Sequence, residues 1–110
     1  MDSRLLSGTV DLLILEVCSP GSTYGYDIAQ QVLSRSEGYF ELKEGSLYPA
    51  LHRLERQKLL GSHWEEVDGR RRKYYRLTPA GRKALAERKQ EWSEFSTSVD
   101  RVLGVQRGLA

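Results

Sequence analysis

Asp68 and Gly69 stand between two runs of strand-favouring residues, His63-Trp64-Glu65-Glu66-Val67 before them and Tyr74-Tyr75-Arg76-Leu77 after. Asp-Gly in that setting is the strongest short-range signal for a tight reversal, because the turn needs positive φ and glycine supplies it without a Cβ clash. The two runs are therefore the strands of a hairpin, and the rest of the chain must fold around it. Arg70-Arg71-Arg72-Lys73 places four cations directly after the turn. Such a tip is either an ordinary solvated reversal or a contact for a polyanion.

Helical patterns occupy the sequence on both sides. Leu5 to Cys18 is dense in Leu, Val and Ile and reads as a mostly buried helix, ended by Ser19-Pro20-Gly21-Ser22. A second helix spans Tyr24 to Ser34, with Ile28, Val32 and Leu33 on its inward face. Gly38-Tyr39-Phe40 forms a connection with room for a brief extended segment. A third helix contains Pro49, which lacks a backbone N–H and is tolerated in a first turn. That places the start between Glu44 and Leu47, with Ser46 as its N-cap. Leu47, Leu51, Leu54 and Leu59 mark its buried face, while Tyr48, His52, Arg53 and Arg56 project elsewhere.

Thr78-Pro79-Ala80-Gly81 opens a fourth helix: Thr caps free N–H groups and Pro is preorganised at the first helical position. Its apolar residues Leu85, Trp92, Phe95, Val99 and Val102 are separated by 7, 3, 4 and 3 positions, a heptad spacing interrupted by Arg88. A seam of this kind outside a small core pairs with a second copy. At 110 residues the chain has a modest core, so a homodimer is the expected state.

Three helices, a two-stranded hairpin and a long terminal helix make a mainly α fold with a small β wing. This is the order of a winged helix-turn-helix, whose third helix enters the major groove while the wing meets the backbone or minor groove. Residues 1–78 form the DNA-binding unit, 79–104 the dimerisation helix and 105–110 a frayed tail. Net charge is only +2, but its distribution fits that division. Residues 1–40 hold two cations against five anions, whereas residues 68–76 hold five cations against Asp68 alone. A field focused on the hairpin steers a phosphate backbone toward one face.

Three ordered motifs carry a family resemblance: Tyr24-Gly25-Tyr26-Asp27-Ile28, Gly45-Ser46-Leu47-Tyr48-Pro49-Ala50-Leu51-His52-Arg53-Leu54-Glu55, and Arg72-Lys73-Tyr74-Tyr75-Arg76-Leu77-Thr78-Pro79-Ala80-Gly81. Together they resemble the successive signatures of the PadR family of bacterial transcriptional regulators, over nearly the whole chain. The single helix after the wing resembles the family's compact subfamily. The resemblance implies a homodimer on a pseudo-palindromic operator, and repression relieved by a phenolic or flat aromatic small molecule. It also implies that Trp92, on the terminal helix, lines an effector cavity at the dimer centre. Members of that family usually carry Gly where this chain has Lys58. A left-handed Lys there costs about 1 kcal/mol relative to Gly.

The expected DNA-contacting residues are Ser46, Tyr48, His52 and Arg53 on the third helix and Arg70, Arg71, Arg72, Lys73 and Tyr74 on the wing. Each has a plainer alternative: capping for Ser46, partial core packing for Tyr48, solubility for the wing cations. Tyr74 and Tyr75 alternate faces, so one packs and the other is free to reach a phosphate. Trp92, Arg88, Phe95 and Val99 belong either to an effector site or to the dimer seam. Arg88 pairs there with an anionic effector or with Glu91.

Catalysis is not expected. His52 and His63 lie on different elements without Cys or carboxylate partners at metal-ligand spacing, and the chain has no phosphate-binding glycine loop and no nucleophile elbow. No metal or cofactor is expected. The longest apolar run is Leu12 to Leu15, and no secretion signal opens the chain, so a cytoplasmic protein is expected. The single Cys18, in an apolar stretch, reads as a buried structural thiol. The competing function is a winged helix used only for protein interaction, which keeps the core and dimer helix but has no need of four cations at the wing tip.

Overall fold

The computed structural model describes residues 3–106, with side chains from residue 8 onward. Helix α1 (Ser3–Val17) is followed by strand β1 (Thr23–Tyr24), α2 (Gly25–Arg35), α3 (Glu44–Arg56), β2 (Leu60–Val67), β3 (Arg70–Leu77) and α4 (Pro79–Leu103). The expected tail, 105–110, lies largely outside the described residues. Helix α1 packs against α2, α3 and α4. Ile14, Leu15, Ile28, Leu51, Leu54 and Leu60 are fully buried where these elements meet. Cys18 lies among them, and burial pushes its thiol up to about 12, so it stays protonated and inert.

The hairpin reverses as its chemistry demands: Asp68 (φ 52°) and Gly69 (φ 76°) are both left-handed, the requirement of a two-residue primed turn. Strands β2 and β3 pair in one unbroken register from Leu60 opposite Leu77 to Val67 opposite Arg70. The sheet has three strands rather than the expected two. Thr23 and Tyr24 pair with Tyr75 and Tyr74, giving the antiparallel order β1-β3-β2. No strand forms at Gly38-Tyr39-Phe40, where the sequence leaves room for an extended segment. Two residues are too few to show a strand period.

Ser46 does not cap α3. The helix starts at Glu44, with Lys43 as an extended N-cap that makes no side-chain cap bond. The Ser46 and Leu47 N–H groups already donate to the Lys43 carbonyl, at 2.9 and 2.8 Å. Pro49 consequently sits inside the helix rather than in its first turn. At the other end Lys58 is left-handed (φ 63°), and two bonds close the helix: Lys58 N–H to the Glu55 carbonyl and Leu59 N–H to the Leu54 carbonyl. This is the Schellman arrangement that glycine favours. Lys58→Gly should therefore raise stability by about 0.5–1 kcal/mol, read as a higher urea midpoint with an unchanged slope.

Thr78 caps α4 as expected, its hydroxyl accepting from Gly81 N–H at 2.9 Å. The same hydroxyl donates to the Lys58 carbonyl at 2.7 Å, so one side chain fastens α4 to the chain leaving α3. Gly81 completes the joint, since a Cβ there would overlap the Leu59 carbonyl. Beyond Leu85, which is buried, the apolar stripe of α4 leaves the core: Trp92 and Phe95 are half exposed and Val102 is 87% exposed.

Candidate nucleic-acid interface

The N-terminus of α2, the outer face of α3 and the inner face of the wing enclose a cleft of about 670 Å³. Tyr48 and His52 enter it from α3, Tyr24 and Tyr26 from the β1–α2 junction, and Trp64, Arg71, Arg72 and Lys73 from the wing. Tyr48 and His52 are exposed, as is Ser46 one turn earlier. Gly25 permits this arrangement, because a Cβ there would stand 3.1 Å from the Tyr48 hydroxyl. Tyr48 therefore both packs on the backbone of α2 and presents its edge to solvent.

Arg53 is placed differently. Its Nε and Nη2 donate to the two carboxylate oxygens of Asp11 on α1, at 3.2 and 2.6 Å. The bond to Asp11 holds its guanidinium even more firmly protonated. Such a bidentate pair makes Arg53 a brace between α1 and α3.

The wing cations also divide. Arg70, Arg71 and Arg72 make no ion pair among the described residues. The Arg71 guanidinium lies 4.8 Å from the Trp64 ring centroid and that of Arg72 lies 4.4 Å from the Tyr24 ring centroid. Aromatic faces hold these cations in place without neutralising them. Lys73 instead donates to Glu55 Oε1 on α3 at 3.0 Å. Of the two tyrosines, Tyr75 is buried and Tyr74 is the accessible one, stacked on His63 and edge-on to Tyr24. Trp64, Tyr24 and Tyr26 line the cleft and Glu55 holds one of its cations, and the sequence reading did not count them among the DNA-contacting residues. The strand register alone, with Trp64 opposite Lys73, was the signal for Trp64.

With this geometry in place, comparison with known proteins is decisive. The sequence matches the transcriptional regulator PadR-like family over residues 14–87. The chain belongs to the PadR-like family. It is 44% identical over 90 residues to Transcriptional regulator Rv3488 of Mycobacterium tuberculosis, covering 82% of this chain and 81% of that protein. The crystal structure of a PadR family transcription regulator from Clostridium difficile superposes with a TM-score of 0.75 at 40% identity, covering 86% of this chain and 97% of that one. A transcriptional regulator from Clostridium thermocellum gives 0.82 at 31% identity, over 89% and 96%. All three relatives are regulators of transcription. Among the described residues no helix is long and apolar enough to cross a membrane, and no group of three or more His, Cys, Asp or Glu is placed to hold a metal ion.

This PadR chain has a second cavity, of about 550 Å³, between α1 and α4. Gly8, Thr9, Asp11 and Leu12 line one side, and Arg88, Glu91, Trp92 and Phe95 the other. The Trp92 and Phe95 rings stack with centroids 5.9 Å apart. The Arg88 guanidinium has no ion-pair partner among the described residues, Glu91 included.

Proposed function

We propose that this PadR-family chain is a homodimeric, sequence-specific DNA-binding repressor that reads a pseudo-palindromic operator. Residues 1–78 recognise DNA and residues 79–104 hold the dimer together. The observation that carries this reading is the shared cleft, where the exposed Tyr48 and His52 face of α3 opens beside two unpaired wing arginines, Arg71 and Arg72. A recognition helix in the major groove would bring those arginines to the flanking phosphates. Ser46 and Tyr74 serve as further phosphate donors. A module used purely for protein interaction has no use for cations held ready on aromatic faces.

The effector is a flat aromatic or phenolic molecule seated against Trp92 and Phe95, with Arg88 available to an anionic substituent. Asp11 supports such a response, because it lines the α1–α4 cavity and also braces Arg53 of the recognition helix. An occupant releases DNA only if it binds better to a dimer whose recognition helices are wrongly spaced, since equal affinity for both states shifts nothing.

Gel-shift assays with the DNA upstream of the protein's own gene test the reading directly. The expected result is a discrete complex that survives excess shuffled duplex and weakens as phenolic acids are added. Trp92 fluorescence, isolated with Trp64→Phe, should be quenched over the same concentration range. Absence of any duplex binding would favour the protein-interaction module. Quenching without loss of DNA would make Trp92 a binding residue with no regulatory role.

A further inference from the structure

Glu55 is an anion in an unfavourable place. It stands in the last turn of α3, where the helix dipole disfavours negative charge, and next to a surface on which phosphates are to be bound. Its two oxygens have separate partners. Ser62 of β2 donates its hydroxyl to Oε2, and Lys73 of β3 donates to Oε1. One carboxylate therefore ties the recognition helix to both strands of the wing. The Ser62 bond, and then the Lys73 ammonium, hold the carboxyl below its usual range, so it is an acceptor at neutral pH. Of the four cations at the wing tip, Lys73 is the one in an ion pair among the described residues.

We propose that Glu55 is a positioning residue that sets DNA specificity: it fixes the wing at one angle to the recognition helix and withholds Lys73 from the phosphate backbone. The inference rests on the reading of the chain as a DNA-binding protein. Phosphate contacts raise affinity for every sequence alike, whereas a rigid wing admits only a duplex whose backbone lies where the arginines can reach it while α3 reads bases. Glu55 thus lowers non-specific affinity and sharpens register.

Salt titrations of the full chain test this, against the upstream duplex and a shuffled duplex of the same length. Glu55→Gln keeps the side chain's shape and can still accept from Ser62, but it releases Lys73. Its binding should steepen with salt by about 0.9 in log–log slope per protomer, as each freed lysine displaces a counterion. Affinity for the shuffled duplex should rise about tenfold, and the preference for the upstream duplex should fall by a similar factor. Lys73→Met alone should leave the wild-type slope unchanged, and in the Glu55→Gln background it should remove the added slope. A merely structural ion pair would change thermal stability in these variants without this pattern. An unchanged slope in Glu55→Gln, or a slope reduced by Lys73→Met alone, overturns the proposal while leaving DNA binding intact. Failure of the wild type to bind either duplex overturns the DNA-binding reading itself.

Discussion

Replacing both Phe95 and Val99 by Glu should leave a folded monomer whose affinity for the operator is roughly 10²–10⁴-fold weaker, the avidity lost when two linked half-sites act alone. The two side chains belong to the seam of α4, which continues past the core: Phe95 is 52% exposed and Val99 37%. In one chain both lie outside the core, Phe95 stacking on Trp92 of the same helix, so the substitutions remove no core contact from the winged domain, and its helical circular dichroism should persist. In a dimer they would bury two pairs of carboxylates in an apolar interface, where an unpaired charge costs several kcal/mol per ion. Sedimentation velocity reports the oligomeric state and fluorescence anisotropy the affinity. A double variant that sediments as a dimer would place the partner surface elsewhere on the molecule.

Much of this architecture was legible because its signals are local. The Asp68-Gly69 reversal, the Thr78-Pro79 helix start and the buried leucine face of α3 each follow from neighbouring residues, and the structure reproduces them. The left-handed Lys58 had its signal in the family resemblance, which sets a glycine at that helix end. What escaped depends on contacts between segments far apart in sequence. Strand β1 exists because Thr23 and Tyr24 meet β3, about fifty residues on, and nothing in a dipeptide announces it. The ion pairs of Arg53 and Lys73 escaped in the same way. Each is a cation on an element expected to meet DNA, and only folding brings Asp11 to one and Glu55 to the other. Residue type identified the cations. Tertiary pairing decided which of them also hold an ion pair within the fold.

That division gives the wing its second large expected effect. Arg70→Ala, Arg71→Ala and Arg72→Ala combined should weaken operator binding on the order of 10²–10³-fold at 0.1 M salt and flatten its salt dependence. Each arginine resting on a phosphate contributes about 0.9 to the log–log slope, so three on each of two wings correspond to a loss of about 5. Stability should change little. All three side chains lie outside the core, and Arg71 and Arg72 rest against the faces of Trp64 and Tyr24. Lys substitutions separate charge from shape. If simple attraction to phosphate were sufficient, the triple Lys variant would bind as the wild type does. If the planar stack on Trp64 and Tyr24 aims each guanidinium, Lys should keep the salt slope and still lose affinity, because a flexible ammonium cannot be held flat against a ring while donating in a fixed fork. Anisotropy titrations at four or five salt concentrations distinguish these outcomes, and an unchanged slope in the Ala variant would remove the wing from the DNA backbone altogether.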